Sequence, residues 1–238
     1  MNQTEEWEKA ERLREAVDDS SRAIRNIYIF FLLLATYIAV IIGSTTDGQL
    51  LKISPIKLPL LDVALPIVGF YALIPWLFVL LLFNLLLELY LLSEKLHVWE
   101  KTIYAFNDET MRQEQFVRLY PFPFNHMIIG KHHSRLIRLL FGIVVWVTVI
   151  LLPISLLLWA QVRFLPYHDV IITWIQRLAL YLEIVLLLVF WPKIVEPNGR
   201  ASRWWGRLLT APWWARLVGG SVERINHLSA FLPLTGEH

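Results

Sequence analysis

Four long apolar runs interrupt a chain whose remaining segments are rich in Lys, Arg, Asp and Glu. The first, IYIFFLLLATYIAVII from Ile27 to Ile42, has no charge and falls just short of the roughly 20 residues that cross a bilayer. The second is uncharged from Val63 to Leu87, and its helical pattern continues to Leu96. The third, Leu139 to Val162, is again uncharged. The fourth runs from Val170 to Trp191 and contains Arg177 and Glu183, a costly pair at bilayer depth. This pattern predicts an all-α integral membrane protein with four transmembrane helices, at residues 27–43, 65–92, 139–162 and 170–191.

The segments between the runs are patterned as well. Residues 1–26 mix both charge signs. They look like a polar amphipathic helix and lack the basic start and cleavage site of a signal peptide, so the first run reads as a retained anchor. The connection 43–62 is Pro-rich and partly alternating, with Ile56, Leu58 and Leu60 on one face of an extended strand. Residues 93–138 form an insertion that begins as an extension of the second span. There Leu96, Trp99, Ile103 and Phe106 recur at three- and four-residue steps, forming an apolar face. That face needs cover from the bilayer surface, the N-terminal helix or another subunit. NDETMRQEQ reads as its solvated continuation. In LYPFPFNHMIIGKHHSR two prolines argue against a regular helix, and the aromatics suit a segment tucked against the membrane.

The tail, 192–238, repeats a short unit, WWGRLLTAP then WWARLVGGS. Trp204, Trp205, Arg207, Trp213, Trp214 and Arg216 are suited to the headgroup region. Pro212 separates the copies, which predicts two short interfacial helices.

Composition agrees with a membrane location. Hydrophobic residues make up 56% of the 238 residues and charged residues 18%; soluble domains have about 45–50% and about 25%. Cysteine is absent, which excludes disulfides, thiolate metal sites and Cys nucleophiles. A net charge of +2 gives no footprint for nucleic acid. The distribution of charge is more informative. Eighteen of the 22 Lys and Arg residues lie before the first span, in 93–138 or after Trp191. The positive-inside rule then places both termini and the insertion in the cytoplasm, an N-in/C-in topology.

Candidate chemistry is sparse. RFLPYHD, residues 163–169, joins spans three and four on the extracytoplasmic side and collects Arg163, Tyr167, His168 and Asp169. Pro166 stops one helix, Asp169 is placed to cap the next, Arg163 can snorkel, and Tyr167 with Trp174 suits the interfacial belt. The same residues could bind a metal or shuttle a proton, but their spacing matches no ligand signature. Inside the membrane stand Asn84 and Glu183, each eight residues, or about 12 Å, from the cytoplasmic end of its span. They are expected to face each other or share a water. Such a pair serves either as an interhelical packing contact or as a protonatable group on a water-filled path. Glu88 lies one turn nearer the surface, in reach of water or Lys95.

Ala35, Ala39 and Gly43 form a small-residue stripe for close helix approach, within the chain or between subunits. Pro66, Pro75 and Pro153 are expected to kink spans two and three. His126, His132 and His133 sit among Lys131, Arg135 and Arg138, which favours an interfacial basic cluster over a metal site.

Several stretches, TYIAVIIGSTTDGQLLKISPIKLPLLDVALPIVGFYALIPWLFVLLLFNLLLELYLLSEKLH, PFPFNH, LLWAQVRFLPYHDVIITWIQRL and FWPKI, resemble the amino-terminal membrane region of bacterial pentapeptide-repeat membrane proteins. The resemblance covers most of residues 20–195. It implies the bacterial inner membrane and a cytoplasmic-facing module on a membrane base, and it carries no catalytic residue. In that family a right-handed β-helix of pentapeptide repeats follows the membrane module; the tail here has no run of such pentads.

The expected function is a non-enzymatic membrane anchor or scaffold without cofactor, whose partners are the lipid bilayer, a cytoplasmic protein and a second copy of itself. The alternatives are an oligomeric channel or membrane-perturbing effector near Glu183 and Asn84, and an enzyme that uses RFLPYHD.

Overall fold

Two very long helices organise the structure, a computed structural model that describes residues 3–46, 48, 56–57, 64–105, 109–129, 135–165 and 169–195. Helix α1 (Gln3–Ser44) is unbroken from the charged N-terminal segment through the first apolar run. A two-residue antiparallel bridge, β1 (Ile56–Lys57) with β2 (Ala64–Leu65), pairs Ile56 with Leu65 and Lys57 with Ala64. Leu58 and Leu60, the rest of the expected strand face, lie outside the described residues. Helix α2 (Ile67–Tyr104) follows at once. Pro66 occupies its N-cap position with extended backbone, so it marks the helix start and is not the expected kink. Pro75 does lie inside α2 and is buried.

A four–three repeat joins these helices. In α1 the positions 10, 14, 17, 21, 24, 28, 31, 35, 38 and 42 turn inward, from Ala10 through Ile24 and Phe31 to Ile42. In α2 the series Tyr71, Pro75, Phe78, Leu82, Leu85, Leu89, Leu92, Leu96, Trp99 and Ile103 is buried throughout. Such a spacing keeps one stripe facing a partner helix along its whole length. The helices run antiparallel: Phe31 stacks on Phe78 at 5.0 Å, and Lys95 Nζ donates to Ser20 Oγ at 2.7 Å. The seam therefore continues out of the apolar runs into the charged segments without a break.

Helix α3 (Glu109–Val117) and helix α4 (Pro123–Ile129) fold back onto the charged end of this pair. Phe116 meets the Trp99 ring edge-on at 5.4 Å. The cover for Leu96, Trp99 and Ile103 thus comes from the same chain; Phe106 lies outside the described residues. The PFPFNH stretch differs from expectation. Pro123 opens α4 rather than preventing it, because a first-turn residue has no intrahelical N–H bond to lose.

The third span is helix α5 (Arg135–Trp146), a π-turn (Val147–Leu151) and helix α6 (Leu152–Phe164). Pro153 explains the irregularity. It cannot donate to the carbonyl of Val149, and its ring crowds that carbonyl, so the chain widens one turn upstream. Helix α7 (Val170–Val195) completes the set. Helix α2 packs between α1 and α7, while α6 touches both α1 and α7, which closes a four-helix bundle. Four helices are long and apolar enough to cross a membrane, which makes this a multi-pass membrane protein. The tail from 196 onward, with its six Trp and Arg positions and the two expected interfacial helices, lies outside the described residues.

Candidate functional site

At the charged end a set of polar groups is buried in the seam. Asp18 on α1 accepts from Arg14 Nη1 at 3.2 Å and from the backbone N–H of Tyr120 at 2.9 Å. One turn along α1, Ser21 Oγ receives the Asn125 amide at 2.9 Å, and the same amide donates to the Tyr120 carbonyl at 3.2 Å. Arg22 and Arg25 both lie over the Tyr120 ring. The turn between α3 and α4 is thereby tied to α1 by side chains that satisfy its free backbone groups. Gln115 on α3 is fully buried, and neither its amide nitrogen nor its oxygen has a partner among the described residues.

In the apolar part of the bundle, α7 turns Ile172, Gln176, Ala179, Leu180, Glu183 and Leu187 inward. Gln176 Nε2 donates to the Tyr71 carbonyl at 3.1 Å, and Ser93 Oγ donates to the Ile194 carbonyl at 2.5 Å. These two bonds bracket a parallel α2–α7 contact. Glu183 lies seven residues past Gln176, at the level of Phe78, seven past Tyr71. It is 0% exposed, and neither carboxyl oxygen has a hydrogen-bond partner among the described residues. The π-turn stands close to this level, since Tyr28, one turn below Phe31, donates to Thr148 at 2.7 Å. Among the described residues Glu183 is a buried carboxyl without a hydrogen-bond partner, at a level close to the irregular turn and the buried Pro75.

Asn84 does not meet it. Asn84 is exposed on the outer surface of α2, whereas Glu183 points inward from α7, so the expected facing pair is not formed. Equal counts from the assumed span ends placed them together, but the register of α2 and α7 sets Glu183 near Phe78, six residues along α2 from Asn84, and the two side chains face opposite ways. Glu88 is half-buried with no hydrogen bond or ion pair among the described residues. Lys95, its expected neighbour, bonds Ser20 instead. Of the small-residue stripe, Ala35 is buried and Ala39 half-buried. A Cβ on Gly43 would lie 3.2 Å from the Trp159 ring, so the stripe serves contacts within the chain.

RFLPYHD divides. Asp169 Oδ1 accepts from the N–H groups of Ile171 and Ile172 at 2.9 and 3.2 Å, an N-cap of α7. Arg163 reaches back to the Thr45 carbonyl with Nε at 3.1 Å and Nη2 at 2.6 Å. It therefore closes the C-terminal end of α1 instead of snorkelling. Pro166, Tyr167 and His168 lie outside the described residues. The Arg177 guanidinium stands 5.4 Å over exposed Trp174. His126 stacks on Phe141 at 5.3 Å; His132 and His133 are outside the described residues. No group of three or more His, Cys, Asp or Glu among the described residues could hold a metal ion.

Sequence reasoning passed over Asp18, Ser21, Asn125 and Gln176. Gln176 was findable, because it lies seven residues from Glu183 and shares its helix face. No protein family, curated protein or solved structure matches the chain.

Proposed function

We propose that the chain is a non-enzymatic scaffold of the bacterial inner membrane, with both termini in the cytoplasm, that presents a helical platform to a protein partner. The observation that carries this reading is the uninterrupted α1–α2 seam. It extends beyond the apolar runs and holds α3 and α4 against the charged end. Flexible linkage would suffice for a plain anchor; a continuous seam instead gives the platform a fixed relation to the bundle. Helix α3 buries Gln115 and leaves Val117 86% exposed, an apolar contact point on a polar helix. The distribution of basic residues supports the orientation, and the likeness to pentapeptide-repeat membrane proteins is consistent with a cytoplasmic-facing module.

A photo-crosslinking residue at Val117, in the full chain in its native membrane, tests this. A discrete adduct with one other protein is expected, absent when the crosslinker is placed at lipid-facing Ile143. Lipid adducts alone at both positions would refute the scaffold.

Glu183 favours a second reading, an ion-conducting bundle, because it is enclosed without a hydrogen-bond partner among the described residues. Flux from liposomes that vanishes in Glu183→Gln, with the fold intact, would support it. The outward turn of Asn84 removes the second polar group that this reading relied on. An enzyme at RFLPYHD is the weakest reading, since Arg163 and Asp169 are engaged at helix ends.

A further inference from the structure

We infer that the outer face of α2 around Asn84 is a homodimer seam, on which a second copy of the chain sits with the two Asn84 amides paired across a two-fold axis. Asn84 lies within a helix that is uncharged up to Leu87, eight residues before Leu92, and so about 12 Å inside the boundary assigned from the sequence. It is exposed and makes no hydrogen bond among the described residues. Its neighbours on that surface, Leu77, Leu80, Phe83, Leu87 and Leu91, are exposed and apolar. Lipid tails offer no donor or acceptor to an amide at this depth.

A carboxamide carries both donors and an acceptor, so it is its own complement. A two-fold axis brings the same group to the same place with no requirement on any other sequence. A different membrane protein would have to bring a matching polar group to this depth, and acyl chains bring none. The surface around Asn84 also has relief. Above Phe83, on the side away from the charged end, Leu73, Trp76 and Leu80 of α2 and Leu182 and Leu186 of α7 line an apolar groove of about 610 Å³. With the helices crossing at Asn84, this groove receives apolar side chains of the partner's α2. Glu88, one turn towards the charged end, then diverges from its counterpart into the boundary region.

The absence of native cysteine makes the test clean. Leu80→Cys and Leu87→Cys, each as the only thiol in the chain, are oxidised in native membranes before solubilisation. Both should give a covalent dimer, because a disulfide needs Cα atoms about 4.4–6.8 Å apart; Ile143→Cys on α5 should give none. Adding Asn84→Leu to Leu87→Cys should lower dimer yield at least tenfold, while Asn84→Gln retains most of it. Native mass spectrometry in nanodiscs should show twice the chain mass for the parent and a monomer for Asn84→Leu. Asn84→Leu should keep the parent's helical circular-dichroism spectrum as a folded monomer, since Asn84 makes no hydrogen bond among the described residues of its own chain, and its unfolding midpoint should fall by no more than the lost association accounts for. A monomeric parent without crosslinks at 80 and 87 overturns the inference. So does a dimer indifferent to Asn84→Leu, or a crosslinked band whose second component is another protein.

Discussion

At the residue scale, burial without a partner is the feature with consequences. Glu183 occupies an inward position where an apolar side chain of similar size would lose no hydrogen bond. A buried polar group left unsatisfied costs about 1–3 kcal/mol. Glu183→Leu should therefore raise the thermal unfolding midpoint of the detergent-solubilised protein, by an amount equivalent to roughly 1–3 kcal/mol. A lower midpoint would mean that the carboxyl is held by an interaction not seen among the described residues. Stability gained with loss of function would mark Glu183 as a retained functional group. Asn125 differs in that its amide nitrogen serves both Ser21 and the Tyr120 carbonyl, although its Oδ1 has no partner among the described residues. Asn125→Ala strands both acceptors and should cost about 1–3 kcal/mol. Hydrogen exchange should speed up first in residues 118–129, before the bundle itself loosens.

At the element scale, what was legible depended on the solvent each helix face meets. In the α2 extension, polar residues alternate with Leu96, Trp99 and Ile103, and the buried face could be read directly. In the spans, inward and outward residues are equally apolar, since lipid accepts Leu as readily as a helix core does. Periodicity then carries no sign, and the expected inward turn of Asn84 was not met. The α7 cap at Asp169 was legible because capping needs only a side-chain oxygen and nearby N–H groups. The helix at Pro123 was not, because one proline type both breaks and begins helices. The α1–α6 contact invites a direct test. Gly43 stands where a Cβ would come within 3.2 Å of Trp159. Gly43→Leu should force these helices apart and cost about 1–3 kcal/mol, read as a lower unfolding midpoint. An unchanged midpoint would show that Trp159 has room to swing away.

At the scale of the whole molecule, four spans and a concentration of basic residues at one end make a topology that can be measured. Single cysteines at Val117 and at Gly48 should react with an impermeant maleimide from opposite sides of the membrane, Val117 only from the cytoplasmic side. Labelling of both from one side would overturn the four-span arrangement. The length of α1 has a consequence of another kind. Its 42 residues extend about 63 Å at 1.5 Å each, roughly twice the hydrocarbon thickness of a bilayer. Bound to α2 along a stiff pair, the surplus acts as a ruler. The surface of α3 is thereby held at a set distance from the apolar part of the bundle, and a partner of the kind proposed would ride at that distance and swing through an arc as the bundle tilts. Adding or deleting whole heptads in both helices should change the reach of the protein without changing the surface that α3 presents.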